Sequence, residues 1–232
     1  MRITLIGHGA MGKLIRSLAE EKGHTIAVVI EEGDAGLSAE ALAAKLAGCD
    51  AAIDFTTAAA VRRNVEACVI AGVPLVEGTT GWNEELDDIK KIVANGNGTM
   101  VFGANFSIGV NLFYRIADHA GELFAKFPEY ETFIEEQHHS RKKDAPSGTA
   151  LKLKEIVSAH INSEFSVSAT RAGNIPGTHR VGFDGPADQI VLEHMARSRE
   201  GFAGGAILAA EWIVGKNGFY EFGDVMEEML KK

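Results

Sequence analysis

Two adjacent histidines, His138 and His139, open the most chemically dense stretch of the chain, EEQHHSRKKDAPSGTA over 135–150. Three basic residues follow them, Arg141, Lys142 and Lys143, and then a turn, Asp144-Ala145-Pro146-Ser147-Gly148-Thr149. These residue types suit the movement of a proton beside an anion. A histidine near its unperturbed pKa of ~6.5 exchanges a proton close to neutral pH, and Lys142 can neutralise a carboxylate or donate a proton. Behind the turn, Ala150, Leu153, Val157 and Ile161 recur at helical spacing, so Ser147, Gly148 and Thr149 are expected to open a helix. The start of a helix offers free backbone N–H groups and a positive dipole end, which suits a carboxylate. Taken singly, each residue reads more readily as part of a solvated basic loop before a capped helix. Their convergence in one stretch favours a site. No metal is expected there, because adjacent histidines on a strand or loop point apart and no third ligand is spaced to join them.

A second constellation lies at the amino terminus. An apolar run over 2–6 reads as a buried parallel strand and leads at once into Gly7-His8-Gly9-Ala10-Met11-Gly12, a complete GxGxxG. A helix is expected over 13–21 and a second strand over 26–30, with Glu31 at its end. The first glycine permits the tight turn, the second lets the backbone approach a pyrophosphate, and the third allows close helix–strand packing. The acidic residue then takes the ribose hydroxyls. His8 and Met11 line this loop. Glu32 places a second carboxylate beside Glu31 and would repel the 2′-phosphate of NADPH, so NADH is the expected cofactor, with NADPH possible.

Strand–helix alternation continues to about residue 107. Two small-residue loops at strand ends, Gly78-Thr79-Thr80 and Gly103-Ala104-Asn105-Phe106, are expected to close around the nicotinamide end of the cofactor. The pattern then changes. A long helix is expected over 108–124, followed by strand-like segments over 131–136, 165–171, 179–183 and 189–196 separated by turn residues. A buried helix over 202–214 and a final helix capped by Asp224 complete the chain. The reading is an α/β protein: a Rossmann dinucleotide-binding domain over 1–107 and an α+β domain on a mixed or antiparallel sheet over 108–200. A segment over 201–232 returns to the first domain. Closure over the substrate is expected, since the cofactor loops and the histidine cluster fall in different domains.

Composition bounds the function. Hydrophobic residues make up 46% and charged residues 24%, ordinary for a globular enzyme, and the net charge of −9 disfavours nucleic acid and anionic membranes. The basic loop is therefore a local exception that suits a small anion. Cys49 and Cys68 form no CxxC pair and no disulfide framework. With no signal peptide or membrane-length apolar run recognised, a cytoplasmic location is expected.

With both constellations read, the chain resembles the dihydrodipicolinate reductase family of bacterial lysine biosynthesis over essentially its full length. The most specific part is His138-His139-Ser140-Arg141-Lys142-Lys143-Asp144-Ala145-Pro146-Ser147-Gly148-Thr149, similar to the family's HHxxKxDAPSGTA signature. Gly7 to Gly12, Glu31, Gly78-Thr79-Thr80, Ala104-Asn105-Phe106-Ser107, Arg171-Ala172-Gly173 and Gly177-Thr178-His179 support it. The resemblance implies hydride transfer from NAD(P)H to a cyclic imine dicarboxylate. It implies catalytic roles for His138 and Lys142, and substrate-carboxylate contacts from His139, Lys142, Ser147, Gly148 and Thr149. It also implies a homotetramer built on the second domain's sheet. Two features depart from the pattern: the run between Glu31 and Asp54 is compact, and Glu32 stands where some members carry arginine. Another two-domain dehydrogenase of a small acid and a catalytically silent dinucleotide sensor are the competing readings.

Overall fold

Strand β1 (Arg2–Ile6) is buried along four of its five residues, as a strand covered on both faces must be. It feeds α1 (Ala10–Glu21), β2 (Thr25–Ile30), α2 (Ala39–Leu46), β3 (Ala51–Asp54), α3 (Ala58–Ala71), β4 (Leu75–Glu77), α4 (Leu86–Asn95) and β5 (Thr99–Phe102). Next come α5 (Ile108–Phe124), β6 (Glu131–His138), α6 (Gly148–Ser158), β7 (Ser166–Arg171), β8 (Thr178–Asp184), β9 (Gln189–Met195), α7 (Glu200–Ile213), β10 (Gly218–Glu221) and α8 (Phe222–Leu230). This computed structural model describes residues 1–231. It divides into one unit holding Met1–Ile108 with the stretch from Glu200, and a second holding Gly109–Arg199.

The first unit is an all-parallel sheet in the order β10-β5-β4-β3-β1-β2. Its register aligns Ile30, Ile6, Asp54, Glu77, Phe102 and Glu221 as one row at the carboxyl ends of the strands. The loops after these residues therefore leave from a single edge. Strand order reverses beside β1, and in open parallel sheets that switch point is where ligands bind. The core on one side gathers Leu42, Leu46, Val61, Val65, Ile89 and Val93 against the sheet. On α7, Ala206, Ile207, Ala210 and Ile213 are fully buried, and the helix packs on α1 and on β3, β4 and β5.

The second unit is a mixed sheet in the order β7-β6-β8-β9, with β6 and β7 parallel and the other pairs antiparallel. Helices α5 and α6 bury Phe113, Ala117, Leu153 and Val157 against Ile134, Val181 and Phe183 of the sheet. Strand β6 alternates exposed and buried along its whole length, so Thr132, Ile134, Glu136 and His138 share the covered face.

Three expectations are corrected and one unread element is added. His138 is the last residue of β6 rather than part of a loop, because its ladder with β7 continues to Arg171. The final helix begins at Phe222 with Glu221 as its cap, and Asp224 is the third helical residue, whose carboxylate accepts the Glu221 N–H at 2.8 Å. A tenth strand, β10, pairs with β5 and had no reading in the sequence. Ile161 lies beyond the end of α6 but still packs on that unit's core.

Candidate active site

In the first unit the expected cofactor residues gather at the carboxyl edge of the sheet. Gly7 N–H donates to the Ile30 carbonyl at 2.9 Å and Gly78 N–H to the Asp54 carbonyl at 2.9 Å, so both loops continue the ladder before turning away. The three fingerprint glycines can be told apart physically. A side chain on Gly7, at φ +96°, would meet the Phe55 carbonyl at 2.6 Å, and one on Gly12 would run into the Gly7 carbonyl. One on Gly9 would meet nothing within 4 Å. Gly9 also caps α1 without a side-chain hydrogen bond, leaving open space beside unsatisfied N–H groups. That is the cradle a pyrophosphate needs, so these residues fit a dinucleotide.

His8 and Glu31 do not act separately here. His8 Nδ1 lies 2.8 Å from Glu31 Oε1, which joins the fingerprint loop to the acid that would hold the ribose. Glu32 is exposed. Thr79 is buried: its hydroxyl accepts from Thr56 N–H at 2.9 Å, and its own N–H donates to Glu77 Oε1 at 2.7 Å. Thr80 and Ala104 are exposed, while Gly103 and Asn105 are half-buried. The Phe106 side chain is 2% exposed and packs against Phe55 and Phe222, so it serves the core and leaves only its backbone for a ligand.

In the second unit the register converges on one carboxylate. Strand periodicity places Glu136 and His138 on the same face; β8 sets His179 opposite Glu136, and β7 sets Arg171 opposite His138. Glu136 Oε1 accepts from Arg171 Nη2 at 2.6 Å and from the Ser147 N–H at 3.1 Å. Glu136 Oε2 lies 2.5 Å from His138 Nδ1 and 3.9 Å from His179 Nε2. The Glu136 side chain is fully buried. Burial pushes its pKa up, but the hydrogen bonds from Arg171 and Ser147 lead the effects that offset this, and the net shift is downward. An uncompensated buried carboxylate would cost several kcal/mol. Hydrogen bonds to a charged group contribute about 1.5–3 kcal/mol each, enough for the set to hold it ionised.

Burial lowers the His138 pKa, with Lys142 and Arg171 adding to it against the opposing pull of Glu136. The His138 pKa therefore lies below the expected unperturbed value, which favours the neutral imidazole at pH 7. His179 is driven down to about 4, first by burial and then by His138. Its Nε2 lies 3.1 Å from Ser147 Oγ, and the carboxylate beyond favours a proton on that nitrogen. Ser147 Oγ thus accepts from His179 Nε2 and from the Ala150 N–H at 3.2 Å, which leaves its own proton to donate outward.

Ser147 caps α6 as expected, and a side chain on Gly148 would meet nothing within 4 Å, so the helix start is open to an anion. Thr149 is hydrogen-bonded with Tyr114. Lys142 Nζ pairs with Asp144 Oδ1 at 2.9 Å, and Arg171 Nη2 also donates to the Asp144 carbonyl at 2.5 Å, tying the basic loop to the same guanidinium. His139 is half-buried just past the strand, and among the described residues no ion pair joins it to Glu136. Contrary to the expectation that no further ligand joins the histidines, strand register brings Glu136 and His179 to His138, with ligand atoms within 4.8 Å of one another. Tetrahedral ligands at ~2.0–2.1 Å from an ion sit about 3.3 Å apart. Glu136 Oε2 and His138 Nδ1, at 2.5 Å, are closer than two ligands of one such ion would sit.

Glu136, Arg171 and His179 were missed as site residues. Arg171 and His179 sit in quoted motifs without a role, and Glu136 reads as an ordinary strand-end charge. The available signal was the spacing of Glu136 and His138, two apart on one strand, which puts a carboxylate beside an imidazole.

The model described as dihydrodipicolinate reductase, N-terminus, matches residues 1–106, and that described as dihydrodipicolinate reductase, C-terminus, matches residues 109–226. A 4-hydroxy-tetrahydrodipicolinate reductase of Christiangramia forsetii is 31% identical over 243 residues, covering 100% of both chains. One from Archaeoglobus fulgidus is 36% identical over 263 residues, covering 98% of this chain and 100% of that protein. Among solved structures, dipicolinate-bound dihydrodipicolinate reductase from Paenisporosarcina sp. TG-14 superposes with a TM-score of 0.74 at 22% identity, over 95% of this chain and 97% of that one. A probable dehydrogenase from Thermotoga maritima shares the fold at a TM-score of 0.59 and 9% identity, over 99% of this chain and 94% of that one.

Proposed function

The chain belongs to the dihydrodipicolinate reductase family, and we propose that it is the reductase its relatives are named for. It is an NAD(P)H-dependent oxidoreductase of lysine and diaminopimelate biosynthesis, converting 4-hydroxy-tetrahydrodipicolinate to tetrahydrodipicolinate. The net conversion takes up one hydride and one proton and releases the 4-hydroxyl as water. When bound, the nicotinamide cofactor supplies the hydride. One observation carries the assignment of the site: His138, the Lys142 loop and the open start of α6 are all anchored through the buried carboxylate of Glu136.

In this reading the start of α6, through Ser147, Gly148 and Thr149, holds one substrate carboxylate, and Lys142 and His139 bind the dicarboxylate as cations or donors. Lys142 holds the proton to be delivered at Nζ, and neutral His138 presents its imidazole to the reacting atoms. The fingerprint loop and Glu31 hold the dinucleotide. NADH is the preferred form, because Glu31 and Glu32 repel a 2′-phosphate and the nearby cations are engaged. Lys45 pairs with Asp34 at 2.5 Å, and Arg63 bonds the Ala35 carbonyl and Asn64 Oδ1. Edge strand β9 leaves Ile190, Val191 and Met195 exposed, which supports a homotetramer built on that sheet, to be checked by sedimentation of the full chain. Both cysteines are free thiols, consistent with a cytoplasmic protein, and no described helix is long and apolar enough to cross a membrane.

The test is turnover of His138→Gln and Lys142→Ala on substrate generated in situ from pyruvate and aspartate semialdehyde by its synthase. Each is expected to lose about 10²–10⁴-fold in kcat, the usual weight of general acid–base groups. Wild-type turnover in both would refute the site.

A further inference from the structure

We propose that Glu136 is a positioning residue that fixes the tautomer of His138, and so decides which imidazole nitrogen faces the substrate. The inference rests on the catalytic reading of His138 given above. The carboxylate is held from one side only. Arg171 Nη2 and the Ser147 N–H both occupy Oε1, which fixes the plane of the group and turns Oε2 toward the histidine. Glu136 Oε2 and His138 Nδ1 are buried and lie 2.5 Å apart, and no hydrogen bond of regular geometry satisfies either atom from anywhere else. Two lone pairs cannot share that distance, so the proton of the neutral imidazole sits on Nδ1.

The lone pair is then on Nε2. A side chain on Gly177, at φ +149°, would press within 3.1 Å of that nitrogen, so the glycine keeps Nε2 open. His138 therefore presents an acceptor to the reacting atoms, while Lys142 on the adjoining loop presents a donor. The two groups are complementary because one carboxylate orients both: His138 directly, and the Lys142 loop through Arg171 and the Asp144 carbonyl.

Glu136→Gln is the discriminating variant. Its amide oxygen can keep the bonds from Arg171 and Ser147, while its NH2 faces Nδ1, so the fold is retained and the tautomer inverts. Two readouts are taken on the full chain: kcat and KM over pH, and the nitrogen-15 shifts of His138, which distinguish the two neutral tautomers. Wild type should show Nδ1–H. Glu136→Gln should show Nε2–H, with kcat down by about 10²-fold or more and KM changed little. Loss of the carboxylate's pull should also move the acid limb assigned to His138 to lower pH.

A fall in kcat with the tautomer unchanged would mean a structural role only and overturn the proposal. So would wild-type turnover with an inverted tautomer. Should the variant not fold, the wild-type spectrum still decides, since Nε2–H there contradicts the assignment. Wild-type turnover in His138→Gln would instead sink the catalytic reading and leave the tautomer result standing.

Discussion

His179 shows how a buried residue can set the hydrogen bonding of a neighbour in the proposed site. Its ring is 5.0 Å from that of His138, centroid to centroid, and its Nε2 meets Ser147 Oγ. Because it stays neutral, it fixes Ser147 as an outward donor at the helix start. That neutrality has a measurable consequence. The folded pKa is depressed from 6.5 to about 4, so stability is fully present above the ordinary histidine value and is lost as pH falls from 6.5 toward 4. His138 and His194, both lowered first by burial, act in the same direction. Urea unfolding should therefore give a lower midpoint at pH 5 than at pH 7. His179→Gln, which keeps a donor for Ser147 but cannot titrate, should narrow that gap. An unchanged gap would show that His179 is not buried in its neutral form.

At the scale of elements, the carboxyl-end row of the first sheet holds a second buried pair, Asp54 on β3 opposite Glu77 on β4. Burial raises both, and for Glu77 the charge of Asp54 adds to it, so the pair holds a proton, which we place on Glu77. Asp54 Oδ2 accepts from Asn64 Nδ2 at 2.6 Å and Glu77 Oε1 from Thr79 N–H, leaving Asp54 Oδ1 and Glu77 Oε2 for that proton. The pair thus braces the loop that carries Gly78, Thr79 and Thr80. Raised carboxyl groups stabilise the fold fully below the ordinary carboxylate range, and that stability is lost as pH rises toward the folded values. Glu77→Gln replaces the proton with an amide donor. Its melting temperature should gain on wild type between pH 5 and pH 8, by about 2–4 °C per kcal/mol recovered. Parallel melting curves would rule the shared proton out.

The elements differ in how far the sequence exposes them. The β1–α1 turn and α5 declare themselves, because a GxGxxG between strand and helix and a long apolar periodicity each have one sterically sensible outcome. Strand β10 is four residues long and starts at a glycine with φ +134°; it exists only because β5 offers an edge to pair with. The site divides in the same way. Ser147 and the helix start are legible from local chemistry, whereas Arg171 and His179 reach Glu136 through strand register, which no local pattern reports.

The whole chain combines an acidic surface, at net charge −9, with a basic loop tied back by Arg171 and Asp144. That contrast suits a small dianion better than a polyanion. The family membership spans both units, with matches to residues 1–106 and 109–226, so the dinucleotide fingerprint and the Glu136 cluster belong to one enzyme. The most direct measurement is cofactor oxidation by the full chain, followed by absorbance, with the cyclic imine generated in situ and NADH and NADPH run side by side. Turnover is expected with both cofactors, with a higher kcat/KM for NADH. Turnover led by NADPH would keep the reductase and discard the role given to Glu31 and Glu32. Dinucleotide binding with no turnover from either cofactor would contradict the central claim.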